Sequence, residues 1–319
     1  MRIKTLTGLG LTAVLMATAG PAAADFPERE ITVVVPFGAG GATDIVARII
    51  TEAMSERLGV PIIIDNRGGA GGVVGTQAAA RMAPDGYALA LASTSSHVIG
   101  PLRADGPIYD PLEDFAPVGL FGETPTVLAV YPGLGVSSVG ELIAMMEAAP
   151  GDLNLGTAGH GSSSHLAALR FMVDTGTEME HIPFSSSAES VTALMGNEVQ
   201  VMFGAVPGVL AQIEAGSVLP LGVGTAGRAS SLPEVPTLEE AGVDGYRASL
   251  WFGLAAPAGT PEDRIAILAE ALADSVADPA VVERLAASGA ETVGMGPEEF
   301  RALIVSELEA YGELVDLLD

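Results

Sequence analysis

The stretch Pro36-Phe37-Gly38-Ala39-Gly40-Gly41-Ala42-Thr43-Asp44 lies between a short apolar run and an amphipathic one, and its reading decides the fold. Ahead of it, Ile31-Thr32-Val33-Val34-Val35 is β-branched and almost unbroken in hydrophobicity, the pattern of a parallel strand covered on both faces. Behind it, Ile45, Val46, Ile49, Ile50, Ala53, Met54 and Leu58 keep helical spacing, and Gly59 stands where a helix would stop. Strand, glycine loop and helix start follow one another. The glycines let the backbone turn tightly and approach a bound group, while the first N–H groups of the helix and the positive end of its dipole face the loop. The motif reads as an anion site made of backbone.

Outward from this unit the pattern repeats. Ile62-Ile63-Ile64 is a second strand, followed by Asp65-Asn66-Arg67, the loop Gly68-Gly69-Ala70-Gly71-Gly72 and a helix through about Met82. Residues 88–92 form a third strand ending in the polar loop Ser93-Thr94-Ser95-Ser96-His97. Ligands of open parallel sheets bind beyond the carboxyl ends of the strands, where these small polar loops fall. Short strands over 118–121 and 126–130 straddle a crossing into a second unit, and Ser138 with Glu141 has capping-box spacing ahead of a helix to about Ala148. Leu153-Asn154-Leu155 then leads through Gly156-Thr157-Ala158-Gly159-His160-Gly161-Ser162-Ser163-Ser164-His165 into a helix over 166–174, a counterpart in kind to the opening stretch. Strands over 179–182, 199–203 and 219–223 alternate with helices from about Ala188 and Val206, so the second unit is also α/β. Residues 249–255 return as a strand. Helices over 261–276, with Thr260 as N-cap and Pro261 at the first position, then 279–287 and 297–318, close the fold.

Composition bounds the function. At 319 residues, with 49% hydrophobic and 17% charged content, the chain can form two lobes with substantial cores. Arg2 and Lys4, the apolar run over 9–19 and Ala22-Ala23-Ala24 make residues 1–24 a signal peptide, too short in its apolar part for the ~20 residues that span a bilayer. Cysteine is absent and lysine does not recur after Lys4, which excludes disulfides, thiol chemistry, a Walker-type phosphate loop and Schiff-base or pyridoxal-phosphate chemistry. No cofactor is expected. Without the leader, the 14 basic residues fall to 12 against 40 acidic ones, a formal charge of −28, which argues against nucleic acid or anionic lipid as partners.

Other chemistries fit less well. Ser162 to Ser164 beside His160 and His165 suggest an exported hydrolase, but the Gly-x-Ser-x-Gly elbow is missing. The histidines have no carboxylate at ligand-like spacing, so no metal is expected, and the glycines around Gly38 lack the third position of a dinucleotide loop. Arg67 is read as a surface ion pair with Asp65 or another acid, Trp251 as a core or hinge residue, and Phe37 as either a pocket wall or core.

Five motifs in order carry a resemblance over essentially the whole mature chain: residues 36–41 with Asp44; Asp65-Asn66-Arg67 and its glycines; Tyr109-Asp110-Pro111 with residues 114–118; residues 159–165; and Trp251-Phe252-Gly253 with residues 257–261. The chain resembles the substrate-binding proteins of tripartite tricarboxylate transporters, the Bug receptors. The resemblance implies a two-lobed periplasmic binding protein fold, each lobe a mostly parallel sheet flanked by helices and joined by crossing strands. It further implies a monomer in the periplasm that closes on a small organic acid and delivers it to membrane subunits, without catalysis. Lobe 1 is expected over 25–122 plus 249–319, and lobe 2 over 123–248. Expected ligand contacts are Phe37, Ala39, Gly40, Gly41, Thr43, Asp44, Ser93, Ser95, Thr157, Ala158, Gly159, Ser162, Ser163, Ser164, His165, Phe184 and Gly204.

This chain departs from the family pattern in three places. Gly68 replaces a usual proline, Pro183-Phe184-Ser185-Ser186 replaces Pro-Tyr-Lys-Gly, and Gly204 replaces a frequent acid. Loss of that acid removes a partner for a ligand amine and favours a di- or tricarboxylate or an aromatic carboxylate over an amino acid. The leader makes one direct expectation: exported protein starts at Asp25, and an intact mass corresponding to any other first residue refutes it.

Overall fold

A computed structural model of the protein describes residues 26–102 and 108–315, so the expected leader and its cleavage point, and the last turn expected of the final helix, lie outside the described residues. The strands are β1 (Ile31–Val35), β2 (Ile62–Asn66), β3 (Ala88–Ser93), β4 (Phe115–Val130), β5 (Asn154–Thr157), β6 (Glu180–Pro183), β7 (Val201–Ala205), β8 (Leu219–Val223), β9 (Ser249–Pro257) and β10 (Glu291–Met295). The helices are α1 (Ala42–Leu58), α2 (Val73–Ala80), α3 (Gly100–Leu102), α4 (Val139–Ala148), α5 (Ser163–Thr175), α6 (Ser187–Met195), α7 (Leu210–Glu214), α8 (Glu262–Val276), α9 (Pro279–Ala287) and α10 (Pro297–Val315).

These elements build two α/β lobes. In the first, β1 pairs in parallel with β2 and β3, and β9 joins β3 antiparallel. In the second, β5 pairs in parallel with β6 and β7. Each sheet is therefore mixed, parallel where βα units follow one another and antiparallel where β4 and β9 enter. The two short strands expected over 118–121 and 126–130 are one strand of 16 residues, β4, whose first part pairs with β9 and β10 and whose last part pairs with β7 and β8. Pro117 and Pro125 obscured this continuity in the sequence, because proline removes a ladder donor and ordinarily argues against a strand interior.

Alternation along β1 explains why its apolar run is unbroken. Ile31, Val33 and Val35 pack on one face with Val46, Ile50 and Met54 of α1, while Val34 packs on the other with Val73, Trp251 and Phe300. Full burial of side chains of this size contributes about 1.5–3 kcal/mol each, which fixes α1 to the sheet and aims its N-terminus past the end of β1. Gly59 stops the helix as expected, at φ 71 with its N–H bonded to Ser55 O.

Three local expectations are corrected. Thr260 does not cap α8: its hydroxyl donates to Pro257 O at 2.7 Å, closing a turn, and Pro261 itself is the N-cap with ψ 137. The polar segment after β3 is helical, a π-type turn over Ser95–Ile99 running into α3, held by serine hydroxyl bonds to the end of the strand. Strand β10 went unread because it is an edge strand of half-exposed residues that offers no apolar run.

Helix α10 returns to the crossing strands. Its Glu307 accepts a hydrogen bond from the indole of Trp251 at 2.5 Å, and Trp251 faces Glu123 across the β4/β9 ladder. Burial pushes the Glu307 carboxyl up, to about 7; the Trp251 bond opposes the shift and the Glu123 charge adds to it. An acid whose folded value is raised binds its proton more tightly in the folded state, so stability falls as pH rises from the ordinary glutamate range through about 7 and is level above it. The loss is on the order of 3 kcal/mol. Urea unfolding at pH 5 and pH 8 should show this slope, and Glu307→Gln should flatten it by stabilising the protein at the higher pH; an unchanged slope in the variant refutes the assignment.

Candidate functional site

Gly40 has φ 77, the left-handed backbone that glycine takes without steric cost, and its N–H donates to Asp44 Oδ2 at 2.9 Å. Asp44 is buried in the first turn of α1, where its carboxylate also accepts from Arg48 Nε at 2.9 Å and Asn66 Nδ2 at 3.0 Å. Burial pushes this carboxyl up, but the bonds from Arg48, the Gly40 N–H and Asn66 outweigh it and hold it below the ordinary range. Asp44 thereby braces the loop from behind. Asn66 completes the brace, donating to Phe37 O at 3.1 Å, while Arg67 is paired with Asp65 at 2.7 Å.

The second lobe repeats the arrangement at α5. Ser162 is the N-cap, with its hydroxyl accepting from His165 N at 3.2 Å, and Ser164 Oγ accepts from Ala158 N at 3.0 Å. His165 Nδ1 accepts from Gly161 N at 3.2 Å, its ring stacks on His181 at 3.7 Å between centroids, and His181 Nε2 meets Thr157 Oγ1 at 2.7 Å. Burial, with the neighbouring His160 charge adding to it, pushes His181 down to about 4. The histidines thus serve loop packing, and among the described residues no group of three or more His, Asp or Glu is placed to hold a metal ion.

The two helix starts meet across the cleft, and each is capped from the opposite lobe. Ser187, the first residue of α6, accepts from Ala42 N at 3.0 Å; Ser95 accepts from Ser163 N at 2.9 Å and donates to Ser163 Oγ at 2.8 Å. Between them lies a small cavity, about 30 Å³, lined from both lobes. Of the sequence-predicted residues, Phe37, Gly41, Thr43, Ser93, Ser95, Ala158, Ser162, Ser163, Ser164 and Gly204 line it. Ala39, Gly40, Asp44, Thr157, Gly159, His165 and Phe184 do not; those with described bonds shape the loops from behind, and Phe184 packs against the second lobe's core.

Sequence reasoning missed Ala42, Ser187, Ala205, Leu250 and Phe252 in the lining. Ser187 carried a signal, because Ser186 and Glu189 have capping spacing and mark a helix start beside it. Leu250 and Phe252 carried none, since apolar residues alternating on a strand look the same whether they face core or cavity.

Among the described residues, no charged side chain lines this cavity. Its polar groups are serine and threonine hydroxyls and the first turns of α1 and α5. Among the described residues, no group accepts from the N–H of Thr43 or Ser164. Two helix dipoles and uncommitted backbone donors converging on one enclosed space suit a small anion.

A family profile described as tripartite tricarboxylate transporter family receptor matches residues 46–319. The chain belongs to this receptor family. It is 36% identical over 312 residues to protein BugT of Bordetella pertussis, covering 96% of each chain. Its fold is similar to that of a Rhodopseudomonas palustris protein solved with adipate, at TM-score 0.89 and 33% identity over 92% of this chain and 98% of that one. The R. palustris protein MatC, solved with bound malate, is similar at TM-score 0.87 and 32% identity over 91% of this chain and all of the other. The chain is a solute-binding receptor and not an enzyme, which sets aside the hydrolase reading of residues 162–165.

The receptor's cleft leaves little room at Gly71. This residue has φ 66, and a Cβ there would stand 2.6 Å from His160 O of the facing loop. Gly71→Ala should hold the lobes apart, weakening ligand affinity more than tenfold while the far-ultraviolet spectrum stays unchanged. Small-angle scattering of the variant at saturating ligand should show a larger radius of gyration than wild type; equal radii and equal affinity refute the contact.

Proposed function

We propose that this receptor works in the periplasm as a monomer, captures a small di- or tricarboxylate or an aromatic carboxylate between its lobes, and delivers it to the membrane subunits of a tripartite tricarboxylate transporter. The observation that carries this reading is the convergence of the α1 and α5 N-termini, with the N–H groups of Thr43 and Ser164 left for an outside acceptor, on a cavity lined, among the described residues, by no charged side chain. Adipate and malate in the two R. palustris relatives support the same ligand class. In this reading the moving bodies are residues 26–122 with 249–315 and residues 123–248. The carboxylate lies among Gly41, Thr43, Ser95, Ser162, Ser163 and Ser164, and Phe37, Gly204, Leu250 and Phe252 wall its carbon skeleton.

Neutral donors suffice for useful affinity. A micromolar ligand needs about 8 kcal/mol, and hydrogen bonds to a charged group contribute roughly 1.5–3 kcal/mol each, so four or five cover it after some ordering cost. Gly41 is extended, at φ −79 and ψ 170, and a Cβ there would stand 3.0 Å from Ser187 Oγ. Gly41→Val should therefore abolish binding by displacing Ser187 and filling the anion's position. Arg67→Ala, which breaks only a surface pair with Asp65, should change affinity less than threefold. A thermal-shift screen of mono-, di- and tricarboxylates finds the ligand, and calorimetry on both folded variants tests the reading; near-normal affinity in Gly41→Val, or total loss in Arg67→Ala, overturns it.

A further inference from the structure

Ser93, the last residue of β3, lines the cleft cavity and begins a chain of hydrogen bonds that runs away from it. Its Oγ lies 3.1 Å from Ser96 Oγ, and Ser96 Oγ lies 3.0 Å from His97 Nδ1. His97 is fully buried against Phe115, with 4.8 Å between ring centroids, and its Nε2 has no hydrogen-bond partner among the described residues. The Tyr109 hydroxyl donates to Ser96 O and holds the turn in place. Capture of an anion by two helix starts does not by itself call for a buried imidazole here.

The direction of the chain follows from where the ring carries its proton. Burial pushes His97 down to about 3, so the imidazole is neutral and has one N–H. With that proton on Nε2, a donor would be orphaned in the interior; with it on Nδ1, only a lone pair is left without a partner. Orphaned buried N–H groups are the rarer of the two, so the proton belongs on Nδ1 and the ring donates to Ser96 Oγ. Ser96 Oγ then accepts from His97 Nδ1 and from Ser93 N, at 3.0 and 3.1 Å, which occupies both of its lone pairs. It cannot accept from Ser93 Oγ as well. Its own proton goes to Ser93 Oγ at 3.1 Å, nearer than the alternative, Ser93 O at 3.4 Å. Ser93 Oγ also accepts from Ser96 N at 3.4 Å, so its lone pairs are filled from within its own lobe, and no described group accepts its hydroxyl proton. That proton points into the cavity.

We propose that His97 is a positioning residue: acting through Ser96, it holds the Ser93 hydroxyl as a donor aimed into the cleft, so that the ligand atom opposite Ser93 is an acceptor oxygen and not an ammonium or amide N–H. The proposal rests on the reading of the cleft as a ligand site and adds to it the polarity of one wall. The same π-type turn carries Ser95, which bonds Ser163 of the other lobe. One turn thus sets both a contact between the lobes and the direction of a donor.

Neutron diffraction from crystals of the perdeuterated, ligand-free receptor tests this by locating the deuterons. The expected result is a deuteron on His97 Nδ1, none on Nε2, and the Ser93 Oγ–D bond directed into the cavity. A deuteron on Nε2, or a Ser93 Oγ–D bond directed at Ser96 Oγ, overturns the relay. Calorimetry with malate and adipate as probes, on variants checked for folding by circular dichroism, gives the functional readout. Ser93→Ala and Ser96→Ala should each weaken binding threefold or more, and the double variant should lose no more than the worse single one. His97→Asn, whose amide N–H can stand in for Nδ1–H, should bind at least threefold tighter than His97→Leu. Equal affinities in those two folded variants, or additive losses in the double variant, overturn the relay as well. Because the deuterons are located without ligand, they decide the relay even where neither probe binds, and the carboxylate reading can fail separately.

Discussion

A helix that starts in a binding cleft leaves N–H groups there that nothing inside the helix can accept, and two such starts, α1 from one lobe and α5 from the other, meet at one place in this receptor. Each lobe completes the other: Ser187 caps Ala42 and Ser95 caps Ser163 across the cleft. Bringing the lobes together thus satisfies donors that separation would return to water, and a carboxylate can take up those that the serines leave. In the proposed function, closure and anion capture draw on the same groups, which would link the lobes' motion to the ligand with no charged side chain among the described residues of the wall.

On the proposed function, that linkage requires lobes that move as bodies about a narrow connection. The connection is made by β4, which belongs to both sheets, and by β9, whose start pairs with Thr124 and Pro125 of β4. The ladder is tightened by Thr126 Oγ1 donating to Ala248 O at 2.9 Å and by Ala248 N donating to Gly224 O at 2.7 Å. Glu307 and Trp251 pack against these same strands, so the carboxyl whose protonation alters stability sits where the lobes join.

Electrostatics explains the choice of neutral donors. Among the described residues the ion pairs each join an arginine to an acid, most of them at the surface, where such pairs contribute little to stability. With no lysine after Lys4 and acids in large excess, an arginine in the cavity would compete with neighbouring carboxylates for its own charge. Backbone dipoles cannot be neutralised in that way, and they cost nothing to reorient once the helices are packed.

The local βα units could be read in the residues themselves. The unbroken β-branched run of β1, the glycines that follow it, the helical spacing through Met54 and the serine-rich counterpart before α5 each reflect short-range sterics and burial, which neighbours in the chain already determine. For the same reason ten of the expected contact residues line the cavity. What only the tertiary structure decided is which groups stand opposite one another. Ser187 and Ser95 reach their partners over 145 and 68 positions of chain, Asp44 turns inward because Arg48 and Asn66 claim it, Leu250 and Phe252 face a cavity where the same alternation elsewhere faces core, and β4 runs through two prolines because both lobes pair with it. These depend on where the packed lobes bring distant segments into register, and no local preference of the chain encodes that distance.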